Sequence, residues 1–151
     1  GAALNAAGQT VTVGRGGVGT LNITGTGIAD AFNPDPVRVI AQDMVVGDLF
    51  LSQGTVNVLK GQGAAQNTGQ NLQIANRLTI GKSGTGTVNL IDQLAIGDGA
   101  YTSPSDVILG QNATGNGTLN VQGSLVEVAG AFVIGDAGTA VSRGDRGDRG
   151  D

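Results

Sequence analysis

The chain has 151 residues and a formal net charge of −4, with 28 glycines, 3 prolines, 3% aromatic residues and neither cysteine nor histidine. That composition excludes disulfides, thiolate chemistry, His-based acid–base catalysis and the usual zinc ligand sets. Outside the last nine residues the cations are scattered (Arg15, Arg38, Lys60, Arg77, Lys82), which excludes nucleic-acid and anionic-membrane binding, and no apolar run is long enough for membrane insertion. No secretory leader is recognised, and a start at Gly1 is what a processed or excised piece would show.

In chain order, residues 1–142 repeat one phrase: a short apolar strand closed by Gly, a polar turn, then Gly-Thr-apolar-Asn-apolar. The first copy reads Val11-Thr12-Val13-Gly14 followed by Gly19-Thr20-Leu21-Asn22-Ile23. An insert, Ala31-Phe32-Asn33-Pro34-Asp35-Pro36, separates it from the second, Met44-Val45-Val46-Gly47 with Gly54-Thr55-Val56-Asn57-Val58. The third is Leu78-Thr79-Ile80-Gly81 with Gly86-Thr87-Val88-Asn89-Leu90. Leu94-Ala95-Ile96-Gly97-Asp98 reads as an extra first half without a second. The fourth copy is Val107-Ile108-Leu109-Gly110 with Gly117-Thr118-Leu119-Asn120-Val121. The fifth opens as Phe132-Val133-Ile134-Gly135 and degrades into Gly138-Thr139-Ala140-Val141.

The strand-closing glycines lie 33, 34, 29 and 25 residues apart, the irregular period of stacked repeat units. The turn to Gly-Thr takes 5, 7, 5 and 7 residues in the four full copies, so length varies where loops vary. Alternation puts Leu21, Ile23, Val56, Val58, Val88, Leu90, Leu119 and Val121 on one face and the Thr-x-Asn pairs on the other. The apolar set is the interior, because burial of apolar surface dominates the choice of face. Glycines interrupt nearly every helical window of ten residues. The expected fold is all-β, a right-handed parallel β-solenoid of about five degenerate repeats over residues 1–142, with residues 143–151 as a flexible tail. A sandwich or barrel would also use short strands, but tandem copies of one phrase and a small aliphatic core favour stacking like upon like. The same alternation turns Thr12, Val45, Thr79, Ile108 and Val133 outward, which predicts an exposed apolar stripe and hence a partner.

On these residues the repeat resembles the glycine-rich repeat of type V-secreted autotransporter passengers and related surface β-helix proteins, across residues 8–141. The resemblance implies a β-helix that is secreted or held at a bacterial cell surface, adhesive or structural. It carries no catalytic residue across, because the motif positions are architectural. The Ala31–Pro36 insert departs from it, and no membrane-anchoring barrel follows, so the expectation is a passenger fragment or a free-standing relative.

Enzyme-like features are thin. Gly14-Arg15-Gly16-Gly17-Val18-Gly19 suggests a phosphate-cradling loop, but such a loop opens a helix and here a strand follows. Asp48, Asp98 and Asp136 each follow a strand-closing glycine, yet Lys82 and Gln111 break the row, which reads as turn chemistry rather than a calcium column. Glu127 is the only glutamate, too little for paired-carboxylate glycoside hydrolysis. The sequons at Asn22, Asn112 and Asn116 are by-products of the repeat. The Thr-x-Asn rows would form a flat polar face, similar in geometry to ice-binding solenoids, though a solvated sheet face is the simpler reading. The expectation is a protein that is not an enzyme and uses no cofactor or metal.

The last nine residues are one tripeptide three times: Arg143-Gly144-Asp145, Arg146-Gly147-Asp148 and Arg149-Gly150-Asp151. Nothing there can join a core, and nine residues without proline are too few for a collagen helix. Three abutting copies are not what chance gives, so the run was placed, natively or by an engineer. It resembles the adhesion signal read by integrin-type receptors, which implies an Arg held in an acidic pocket and an Asp carboxylate completing a receptor-bound divalent metal. The leading expectation is therefore an extracellular structural or adhesive solenoid displaying this signal. The alternative is a homo-oligomer or filament subunit stacking end to end through open β-edges.

Overall fold

The structure, a computed structural model, describes residues 3–25, 38–60, 72–91, 95–96, 105–122, 125–126 and 128–144. Runs of Val, Ile, Leu and Thr that alternate in polarity favour extended backbone. They form β1 (Ala3–Val13), β2 (Val18–Gly25), β3 (Arg38–Val46), β4 (Gln53–Lys60), β5 (Leu72–Ile80) and β6 (Thr85–Ile91). Then follow β7 (Ala95–Ile96), β8 (Asp106–Leu109), β9 (Asn116–Gln122), β10 (Leu125–Val126), β11 (Phe132–Ile134) and β12 (Thr139–Gly144). The fold is all-β, with no helix among the described residues.

Each repeat gives one strand to each of two five-stranded sheets, ordered β1-β3-β5-β8-β11 and β2-β4-β6-β9-β12. Every pairing is parallel. Like stands on like in the second sheet: Thr20, Thr55, Thr87 and Thr118 form one register row, and Asn22, Asn57, Asn89 and Asn120 another. The inward rows meet the first sheet in one apolar cluster that includes Met44, Val46, Leu78, Ile80, Val88 and Leu90. Of the eight residues expected inside, Ile23, Val56, Val58, Val88, Leu90 and Leu119 are buried, and Leu21 and Val121 pack against the cluster.

The phrase needs both its glycines. Gly14, Gly47, Gly81, Gly110 and Gly135 end the first-sheet strands with φ between 65° and 76°, a conformation costly for any residue with a Cβ. The glycine that opens the second strand has a different reason: a Cβ on Gly86 would be driven into the Val46 carbonyl and the Gly81 amide. Neighbouring repeats approach that closely because the ladder continues through the corner. Gly81 N donates to Val46 O (2.7 Å), Lys82 N to Gly47 O (3.0 Å) and Thr85 N to Ser52 O (2.9 Å).

Four sequence expectations need correction. The row Thr12–Val45–Thr79–Ile108–Val133 is in register, but it is no exposed apolar stripe: Thr79 is 4% exposed, Ile108 9%, and Val45 and Val133 are half-buried. Rows in a parallel sheet stack about 4.8 Å apart, so central members are shielded by the residues above and below. Second, Ala95–Ile96 does not join the first-half sheet as an extra first half would; as β7 it pairs with Leu125–Val126 of β10 in a separate two-stranded sheet. Third, the first-sheet strands of the early repeats begin before the phrase does, and Val39, Ala41, Leu72 and Ile74 bury there beyond a register shift at Ala41/Asp43.

The last correction concerns the fifth repeat. Gly138-Thr139 does not occupy the Gly-Thr position. Ala140 stands against Gly117, Val141 against Thr118, Ser142 against Leu119 and Arg143 against Asn120. The fifth copy is displaced by two residues from its apparent alignment, a shift that keeps inward and outward faces the same. Its corner from Gly135 to Ala140 is then five residues, as in the first and third copies.

Candidate functional site

The outer face of the second sheet carries a continuous asparagine ladder. Asn57 Nδ2 donates to Asn22 Oδ1 (2.8 Å), Asn89 Nδ2 to Asn57 Oδ1 (2.8 Å) and Asn120 Nδ2 to Asn89 Oδ1 (2.7 Å). Each interior amide both gives and receives, so the three bonds all run in one direction and polarise one another. The next residue of the row is Arg143. Its guanidinium has only donors, so it cannot serve as a further amide rung. Arg143, Gly144, Asn89, Asn120 and Val121 line a groove at this end of the sheet. Two residues of the tripeptide run are therefore strand residues: Arg143 and Gly144 end β12. Asp145, Arg146, Gly147, Asp148, Arg149, Gly150 and Asp151 lie outside the described residues, as do the Ala31–Pro36 insert, Asp98 and Glu127.

Two columns of charged residues flank the first sheet. On the closing corner, Arg15, Asp48, Lys82, Gln111 and Asp136 follow the five positive-φ glycines. Lys82 Nζ lies 2.9 Å from Asp48 Oδ1, an ion pair not aligned as a hydrogen bond. In this broken aspartate column Lys82 is paired with Asp48 of the preceding repeat. On the leading corner the row runs Thr10, Asp43, Arg77, Asp106. Asp43 accepts from Asn76 Nδ2 (2.8 Å) and Arg77 N (3.2 Å), Arg77 reaches Asp106 Oδ2 at 3.5 Å, and Asp106 Oδ1 accepts from Ala131 N (3.0 Å). The Arg77–Asp106 pair is partly exposed and stitches the repeats weakly, at about 0–1 kcal/mol, whereas Asp48 of the Lys82 pair is mostly buried. Sequence reasoning missed this second column, although one residue before each apolar triad gives its members directly.

The Gly14–Gly19 segment is a turn from β1 to β2, and no helix follows it. Among the described residues, no three His, Cys, Asp or Glu side chains gather where they could hold a metal. One corner is unlike the rest. Leu49, Phe50 and Leu51 project from it at 50%, 65% and 80% exposure, and Leu51 has φ 65°. The fourth repeat has a corner of the same length with Asn112-Ala113-Thr114, where Gly115 N donates to Asn112 O (2.8 Å) as Ser52 N does to Leu49 O (3.0 Å), but Thr114 does not share the positive φ of Leu51. A corner of this length with the same turn hydrogen bond is therefore made without the apolar triplet.

No protein-family model matches the chain, and no solved structure matches it significantly. It is 39% identical over 111 residues to an Escherichia coli (strain K12) protein described as the uncharacterized lipoprotein YdeK, a match covering 74% of this chain. The chain spans 7% of that relative's length.

Proposed function

We propose that the chain is a non-enzymatic, right-handed β-solenoid of the autotransporter-passenger type, and that its function is adhesive display. The stack is the scaffold, and the Arg-Gly-Asp run is the signal offered to integrin-type receptors. The observation that carries this reading is the register of β12. Arg143 stands where the fifth asparagine would be, so the tripeptide run issues directly from the last strand of the stack. A cell-envelope location finds support in the lipoprotein description of the Escherichia coli relative. Animal cells bearing integrins are expected to spread on a surface coated with the chain in a divalent-cation-dependent manner. Changing Asp145, Asp148 and Asp151 together to Glu keeps every charge and lengthens each side chain, and is expected to abolish spreading. Equal spreading by that variant, or by a chain ending at Ser142, overturns the reading.

Self-association through strand edges is a second reading. It is favoured by Phe132 and Ile134, which continue buried inward rows yet are 41% and 52% exposed.

A further inference from the structure

Asn116-Gly117 is the one Asn-Gly pair in the sequence. An asparagine followed by glycine is the peptide most open to imide formation, because no side chain shields the next amide nitrogen from the Asn carboxamide. That nitrogen attacks Cγ and gives up its proton, ammonia departs, and water then opens the five-membered ring at one carbonyl or the other. Opening one way leaves Asp. Opening the other leaves isoaspartate, in which the main chain runs through Cβ and Cγ and is longer by one methylene. The ladder asparagines precede Ile23, Val58, Leu90 and Val121, whose branched side chains hinder the same attack. In the register row just before the corner glycines, Val18, Gln53, Thr85, Asn116 and Thr139, only the fourth repeat places an asparagine.

The stack clamps this peptide bond. Asn116 is exposed, but Gly117 is buried. A Cβ on Gly81 of the preceding repeat would be driven into the Asn116 carbonyl, and a Cβ on Gly117 into Ile80 O, which already accepts from Gly110 N (2.9 Å). Asn116 N is tied to Gly84 O (2.9 Å), and Ala140 of the fifth repeat stands in register with Gly117. Ring closure needs the peptide to turn out of the ladder and bring its nitrogen onto Cγ, and packing this close leaves no room for the turn.

We infer that Asn116-Gly117 is a self-modification site gated by folding: the stacked chain protects it, the unstacked chain converts it, and a chain with isoaspartate at 116 cannot restack. The added methylene would enter where Gly81 and Ile80 O already touch the chain. It would also carry Thr118, Leu119 and Asn120 out of register with Thr87, Val88 and Asn89. Leu119 is 1% exposed and Asn120 donates to Asn89, so the core and the ladder both lose a repeat. The conversion needs only water, so time spent unstacked is recorded irreversibly in the backbone. The inference is independent of the adhesive and self-association readings.

The test holds the full chain for days in mildly alkaline buffer, folded in one sample and unfolded by guanidinium in another. Peptide mapping by mass spectrometry follows the segment that contains Asn116, which gains the difference between an oxygen and an NH group on conversion. Asp98-Gly99 can form the same imide by losing water, but its ring opening restores the original mass and does not confuse the readout. Conversion at Asn116 should be slower in the folded sample on the order of a hundredfold or more, because only locally opened molecules react. After dilution from guanidinium, isoaspartate at 116 should be confined to the fraction that does not regain the β-type circular dichroism signal. Asn116→Thr removes the carboxamide and puts there the residue that Thr85 and Thr139 supply in the same row, so this variant should refold fully after the same incubation. Equal conversion in folded and unfolded samples overturns the gate. Isoaspartate found equally in the refolded fraction, or an equal loss of refolding in Asn116→Thr, overturns the claim that the modification bars restacking.

Discussion

The third and fifth repeats place residues in the same rows with opposite outcomes. In the third, Leu78, Ile80 and Val88 are 0% exposed and Leu90 1%. In the fifth, Phe132 and Ile134 are half open, and the second strand reverses the pattern: Val141 points outward in the threonine row while Ser142 takes the inward position under Leu119. A repeat with neighbours on both sides borrows half its burial from each, so sequence alone does not make a row into core. Position in the stack does.

The contrast breaks most sharply if a charge is placed on each repeat. Val88→Asp buries an unpaired carboxylate between two sheets and should cost about 4 kcal/mol or more, enough to unfold or aggregate the chain. Val141→Asp, 38% exposed on the last strand, should change stability by no more than about 0.5 kcal/mol. Thermal melts followed by β-type circular dichroism distinguish them, and a normal melt for Val88→Asp refutes the assignment of faces.

A subtler pair probes the corner. Gly86→Ala forces a methyl into the Val46 carbonyl and should cost about 1–3 kcal/mol. The fifth repeat already carries alanine at the equivalent position, so Ala140→Gly should lose only about 0.5–1 kcal/mol through chain entropy. Denaturant midpoints measure both, and a Gly86→Ala variant as stable as the parent would show that the repeats sit further apart than described.

The smallest effect lies on the polar face. Asn89→Ala removes two ladder bonds, whereas Asn22→Ala removes one. At about 0.5–1.5 kcal/mol per bond, the interior change should cost roughly twice the terminal one. Equal costs would mean that the ladder is not cooperative with the stack.

Much of the architecture was legible in the residues. The parity of Thr-Val-Asn-Leu gave the faces, and the recurring glycine gave the corners, because both follow from local backbone chemistry. The fifth repeat was misaligned because Gly138-Thr139 imitates the phrase; counting five residues on from Gly135 would have given Ala140 its place. Burial of Thr79 and Ile108 was not legible, since alternation assigns a side to a residue and says nothing of what stacks above and below it. The tripeptide run was plain as a motif. That its first Arg is a strand residue depended on the register of β12, which the misalignment hid.

Amide hydrogen exchange in a dilute, monomeric sample tests most directly whether the same row is core in the middle of the stack and surface at its end. Amides of β6 should exchange only through global unfolding, while those of β12 should open locally with protection lower on the order of a hundredfold or more. Equal protection along β6 and β12 would contradict the contrast between the two repeats.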